Sequence, residues 1–152
     1  DSIYKDSFSY VIKSESKFSK PIMVYLSTSK NQVNQIELKQ FEPIFFEFDK
    51  SDILLKYKVR LDKVVKFLNQ YPQVRLELSS YTDCRGADSY NLELSNRRNK
   101  SVVDYIRKRV INPERVSGKG YGEKSSMGGD SCHKISETEH IKNRRTDFKL
   151  RF

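Results

Sequence analysis

The chain has 152 residues, 36% of them hydrophobic and 32% charged, with nine Tyr and nine Phe. That is enough apolar and aromatic material to bury one core without staples, and too much for an intrinsically disordered chain. No apolar run approaches the roughly 20 residues of a membrane-spanning helix. The formal net charge of +9 suits an acidic partner, whether nucleic acid, anionic lipid or a carboxylate-rich polymer, without choosing among them.

The sequence starts at Asp1, with neither an initiator Met nor a signal peptide, as a mature product or an excised piece of something longer does. Residues 1–40 hold short β-like runs ("FSYVIKSE", "PIMVYLSTS", "NQIELKQF") separated by Ser, Lys and Asn. They read as an N-terminal extension or the tail of a preceding β domain. From residue 41 onward the periods sharpen into one domain, 41–152. "PIFFEFD" alternates, with Ile44, Phe46 and Phe48 on one side, and predicts a strand. The next segment changes to a helical stripe of Tyr57, Leu61, Val64, Val65 and Leu68, ended by Pro72. Period two returns in Val74, Leu76 and Leu78.

"YTDCRGAD" is a turn, and a long helix follows from about Ser89 to Arg109. "NPERVSGKGYG" reads as a break and a glycine-rich strand. Ser136 and Glu139 form a capping-box pattern at the start of a short helix. The end alternates through Phe148, Leu150 and Phe152. The order β-α-β-α-β-(short α)-β predicts an α+β sandwich with a mixed sheet and two long helices on one face.

One residue breaks the pattern. Leu94, Arg98, Val102 and Ile106 recur at four-residue steps, which places a guanidinium on the apolar stripe of the second long helix. A buried, unpaired guanidinium costs several kcal/mol, so Arg98 requires an acceptor. Asn91 shares this face, and a strand ending at Tyr81 delivers Asp83 to the same end of the helix. Two readings stay open: an ion pair of Asp83 and Arg98 that merely ties loop to helix, or an open pair matched to a zwitterionic head group.

The segments "FFEFDKSDI", "LSSYTDCRGADSYNLELSNRRNKSVVDYI", "GKGYGE" and "HIKNRRTDFKL" closely resemble the C-terminal peptidoglycan-binding domain of the OmpA-like family, over roughly residues 41–152. That family also includes peptidoglycan-associated lipoprotein and flagellar stator anchors. The resemblance implies a domain that is not an enzyme and needs no cofactor. It would bind the meso-diaminopimelate residue of peptidoglycan stem peptides in the periplasm. By that grip the domain would tie an outer-membrane or envelope protein complex, joined through the rest of the chain, to the wall.

The resemblance further implies a ligand set of Asp83 and Arg98, with Asn91, Thr82, Leu94 and Arg144 around them and Asp49 adding a polar contact. Arg145 reads equally well as support for Asp83. Tyr81 and Asn99 depart from the family pattern, which commonly has His and Ala there. Before the resemblance, Cys84 and Cys132 are either two thiols or one disulfide; an oxidising periplasm permits the bond. Closing its loop of about 47 residues contributes roughly 3–4 kcal/mol in the chain-entropy model.

Other function classes find less support. A nucleic-acid module would rest on charge alone, because the glycine-aromatic signature that "FFEF" would need is missing. A wall hydrolase lacks a second carboxylate or a nucleophile with its base. His133 and His140 do not complete a metal-ligand set, so no metal site is expected.

Overall fold

A computed structural model describes residues 41–124 and 132–151. Residues 1–40, read above as an extension or β tail, lie outside the described residues, as does Phe152. Strands β1 (Ile44–Phe45), β2 (Arg75–Ser80), β3 (Val116–Gly120) and β4 (Arg145–Arg151) form one mixed sheet in the order β1-β4-β2-β3. β2 runs parallel to β3 and antiparallel to β4, which pairs antiparallel with β1. Helices α1 (Leu55–Gln70), α2 (Asp88–Arg107) and α3 (Glu137–Asn143) complete the expected α+β order.

The sheet is two-faced because its residues alternate. Leu76 pairs with Leu150 and Leu78 with Phe148, and these point into a core shared with the buried stripes of α1 and α2. Their neighbours Arg75, Glu77 and Lys149 stand on the opposite, polar face, where Arg151 pairs with Glu77. The α1 stripe from Tyr57 to Leu68 is buried as the periodicity predicts. The capping box of α3 forms both of its bonds: Ser136 accepts from the Glu139 backbone, and Glu139 accepts from the Ser136 backbone.

One strand expectation fails. β1 is only two residues long, and Phe48, predicted to point inward with Ile44 and Phe46, is 55% exposed. The chain turns at Phe48–Asp49, where Asp49 takes a left-handed φ of 56°. Alternation therefore ends after Phe46.

The topology gathers several chain ends at one edge. The carboxyl ends of β2 and β3 lie side by side, and antiparallel pairing brings the start of β4 to them through Ser80 and Thr146. Tyr81 N donates to Arg145 O, Thr82 N to Gly122 O, and Phe46 N to Arg144 O. α2 lies almost on β3 here. A Cβ on Gly120 would stand 2.4 Å from Asn96 N, so the approach demands glycine. Asn99 fixes this corner by donating to the carbonyls of Leu78 and Lys119. The asparagine that departs from the family pattern is thus a strut between the helix and both strands.

Candidate functional site

At this edge a small cleft of about 30 Å³ is lined by Phe48, Asp49, Thr82, Asp83, Arg85, Tyr90, Asn91, Leu94, Arg98 and Arg144. All seven ligand-binding candidates of the sequence lie in it. The carboxyl end of β2 supplies Thr82 and Asp83, and the first turns of α2 supply Asn91, Leu94 and Arg98. The junction of α3 and β4 supplies Arg144, and the turn after β1 supplies Asp49.

The direct Asp83–Arg98 pair does not form. Arg98 is fully buried, and its three nitrogens donate to backbone carbonyls: Nε to Lys50 O at 2.8 Å, Nη1 to Tyr81 O at 3.1 Å and Nη2 to Glu47 O at 3.0 Å. Its guanidinium also lies 5.1 Å from the Phe46 ring centroid. The arginine in the apolar stripe is held by the two loops it ties together. Each Nη carries a second proton beyond these bonds. Burial, and then the charge of Arg144, lower its pKa to about 10, so it stays cationic at neutral pH.

Asp83 is 3% exposed and belongs to a ring of charges. Its Oδ2 accepts from Arg85 Nη2 at 2.7 Å and from Arg144 Nη1 at 2.9 Å, while Oδ1 accepts from Arg85 N at 3.2 Å. Glu137 closes the ring, accepting from Arg85 Nη1 at 3.0 Å and Arg144 Nη1 at 3.2 Å. Burial pushes the Asp83 pKa up, but the Arg85 and Arg144 hydrogen bonds outweigh it, and the net shift is downward.

Two buried polar atoms beside Asp83 have no hydrogen-bond partner among the described residues. One is Thr82 Oγ1; the other is His140 Nδ1, 4.0 Å from Asp83 Oδ2. Asn91 donates to Glu123 at 2.6 Å, and the Tyr90 hydroxyl donates to Asp49. Leu94 adds an apolar wall.

Arg145 donates to Asp147 and lies 4.5 Å from the Tyr81 ring centroid, which itself stacks on Tyr121. Tyr81 thus acts on the cleft through its carbonyl, which holds Arg98, while its ring packs between Arg145 and Tyr121. The structure joins Cys84 to Cys132 in a disulfide (S–S 2.10 Å), fastening the Asp83 loop to the segment before α3.

Sequence reasoning missed Phe48, Arg85 and Tyr90. Arg85 had a readable signal: it lies two residues after Asp83, the spacing at which an Asp side chain accepts from the backbone ahead of it. Phe48 was hidden by its apparent strand alternation. Among the described residues, no group of His, Cys, Asp and Glu could hold a metal ion.

The described residues thus form a two-layer α+β domain with a charged cleft at the carboxyl ends of its strands. The OmpA family model matches residues 45–139, more than half of the chain, and the chain belongs to the OmpA family. Members of this family are known for peptidoglycan association and envelope anchoring.

The chain is 39% identical over 82 residues to photosystem I P700 chlorophyll a apoprotein A2 of Gloeobacter violaceus, covering 54% of this chain and 9% of that protein. It is 31% identical over 116 residues to outer membrane porin F of Pseudomonas fluorescens, covering 76% of this chain and 33% of the relative. The match thus spans no more than about a third of either relative. The fold is that of the peptidoglycan-associated lipoprotein of Burkholderia pseudomallei, with a TM-score of 0.65 at 22% identity, over 72% of this chain and 89% of that one.

Proposed function

We propose that residues 41–152 form a non-catalytic domain that binds peptidoglycan through the diaminopimelate residue of its stem peptides. Such a domain would anchor an outer-membrane or envelope protein to the wall from the periplasm. The observation that carries this reading is the cleft itself: a buried carboxylate and buried guanidiniums beside a buried threonine hydroxyl that has no partner among the described residues. A carboxylate so placed receives an ammonium, and the guanidiniums that line the cleft receive a carboxylate. Diaminopimelate carries both groups on its side chain, whereas lysine carries only the ammonium. A site built for the pair rejects the lysine stem, because its cations are then left without their anion. Asn91 and Thr82 supply neutral polar contacts, Asp49 a second carboxylate at the rim, and Leu94 the apolar floor.

Co-sedimentation with purified diaminopimelate-type sacculi tests the reading. Asp83→Ala and Arg98→Ala each should weaken binding by about 30-fold or more, the effect of removing one partner from a desolvated charge pair. Soluble diaminopimelate peptide should compete, and lysine-type sacculi should bind poorly. Binding that survives both substitutions, or that collapses with salt while ignoring the peptide, would rule the reading out.

A further inference from the structure

Three arginines line the cleft, and Asp83 is already held by two of them, so a ligand ammonium that reaches Asp83 meets cations in place. One of the groups lining it therefore has to change partners. Arg98 cannot readily do so, because three backbone carbonyls hold it, and Arg144 is held by Phe46 O, Asp83 and Glu137. Arg85 differs. Its side chain is 35% exposed, against 6% for Arg144, and it lies over the exposed Phe48 ring at 4.4 Å.

Its guanidinium has two edges in different states. Nη1 is fixed to Glu137 at 3.0 Å, while Nη2 holds Asp83 at 2.7 Å and the adjacent Nε, also buried, has no hydrogen-bond partner among the described residues. Nε and Nη2 together form the side-on fork that takes a carboxylate bidentately.

We infer that Arg85 is a latch that determines carboxylate specificity: on binding, its Nε/Nη2 edge leaves Asp83 and closes on the ligand's side-chain carboxylate, while Nη1 stays on Glu137. The inference rests on the diaminopimelate reading above. The exchange is matched on both sides. Asp83 loses one cationic donor and gains the ligand's ammonium, and the ligand's carboxylate gains the fork that Asp83 gave up. Until ligand arrives, Arg85 keeps Asp83 paired and the cleft closed. A lone amine cannot release it without leaving the Nε/Nη2 edge unpaired.

The test titrates the full chain with two stem tripeptides that end in meso-diaminopimelate, one with the side-chain carboxylate unmodified and one with it amidated. The parent should bind the acid peptide about 10- to 100-fold more tightly than the amide. Arg85→Ala should lose most of that preference by weakening the acid peptide alone, and Arg85→Gln should behave in the same way. Lys63→Ala, which removes a charge from the exposed face of α1, should leave the preference as it is. In nitrogen-15 spectra the Arg85 Nε–H signal should shift with the acid peptide and not with the amide.

The latch is overturned if Arg85→Ala keeps the parent's acid-over-amide preference, or weakens both peptides equally. If the parent binds neither peptide, the diaminopimelate reading itself fails, which is a different result from a bound peptide that ignores Arg85.

Discussion

The two ends of the parallel pair β2–β3 each bury an arginine on three backbone carbonyls, yet only one of them is built to do more. At the amino end, Arg115 donates to Leu68 O, Tyr71 O and Val74 O at 2.7–3.0 Å. Leu68 O belongs to the last turn of α1 and Tyr71 O to its C-cap, where the helix dipole favours a cation, and Val74 O lies just before β2. Among the described residues Arg115 forms no ion pair, and it ties the end of α1 to the start of β2. At the carboxyl end, Arg98 ties together the loops of residues 47–50 and 81 in the same way. It does so beside Asp83, Arg85, Arg144 and Glu137, a cluster in which several groups can exchange partners. A buried arginine held on backbone carbonyls is thus a structural device by itself. It becomes part of a candidate site when exchangeable charges share its wall.

The largest effect that separates the two ends should come from the disulfide. Cys84 and Cys132 lie 48 residues apart and lock the carboxyl-end loop alone, between Asp83 and Arg85. Replacing both by Ser should lower the urea-unfolding free energy by about 4 kcal/mol in the chain-entropy model. Hydrogen exchange should show lost protection around residues 81–86 while the amides near Arg115 keep theirs. Uniform loss of protection across both ends would mean that the two are one cooperative unit, and the comparison would lose its meaning.

The arginines come next. Arg98→Met and Arg115→Met each strip donors from three carbonyls, and each should cost about 2–4 kcal/mol in urea unfolding. Their difference is functional. The folded Arg115→Met protein should bind sacculi like the parent, and Arg98→Met should not. Equal loss of binding in both would show that stability, and not the cleft, sets the affinity.

The same contrast explains what could be read in the sequence. The elements were legible because their periods are regular: Tyr57 to Leu68 keeps one helical stripe, and Leu76 and Leu78 keep period two. Arg98 was legible as an anomaly because its neighbours at four-residue steps are all apolar. Its partners were not, since a carbonyl acceptor can belong to any residue and leaves no trace in residue type. The expected acid therefore gave way to the backbones of Glu47, Lys50 and Tyr81. Arg115 was invisible for the same reason, lying in a polar break with no stripe to interrupt. Phe48 misled because alternation continues in the sequence one step past the turn that ends it in space. Arg85 pairs with Glu137, 52 residues away, and only the meeting of the Asp83 loop with α3 reveals the ring.

The smallest predicted difference is in acid. Asp83 has a folded-state pKa below its ordinary value: burial pushes it up, but the hydrogen bonds from Arg85 and Arg144 outweigh that. A depressed carboxylate stabilises the fold fully above the unfolded value of about 3.9 and loses that contribution as pH falls through its folded value. Urea unfolding of the parent should therefore weaken more steeply between about pH 5 and pH 2 than that of Asp83→Asn, whose side chain does not titrate. The gap between the two proteins should narrow as acid protonates the parent's carboxylate. Arg115→Met, changed at the end whose arginine forms no ion pair among the described residues, should run parallel to the parent throughout. If Asp83→Asn also runs parallel, the ring of Asp83, Arg85, Glu137 and Arg144 holds no charge that matters to folding. The two ends would then differ only in their capacity to bind.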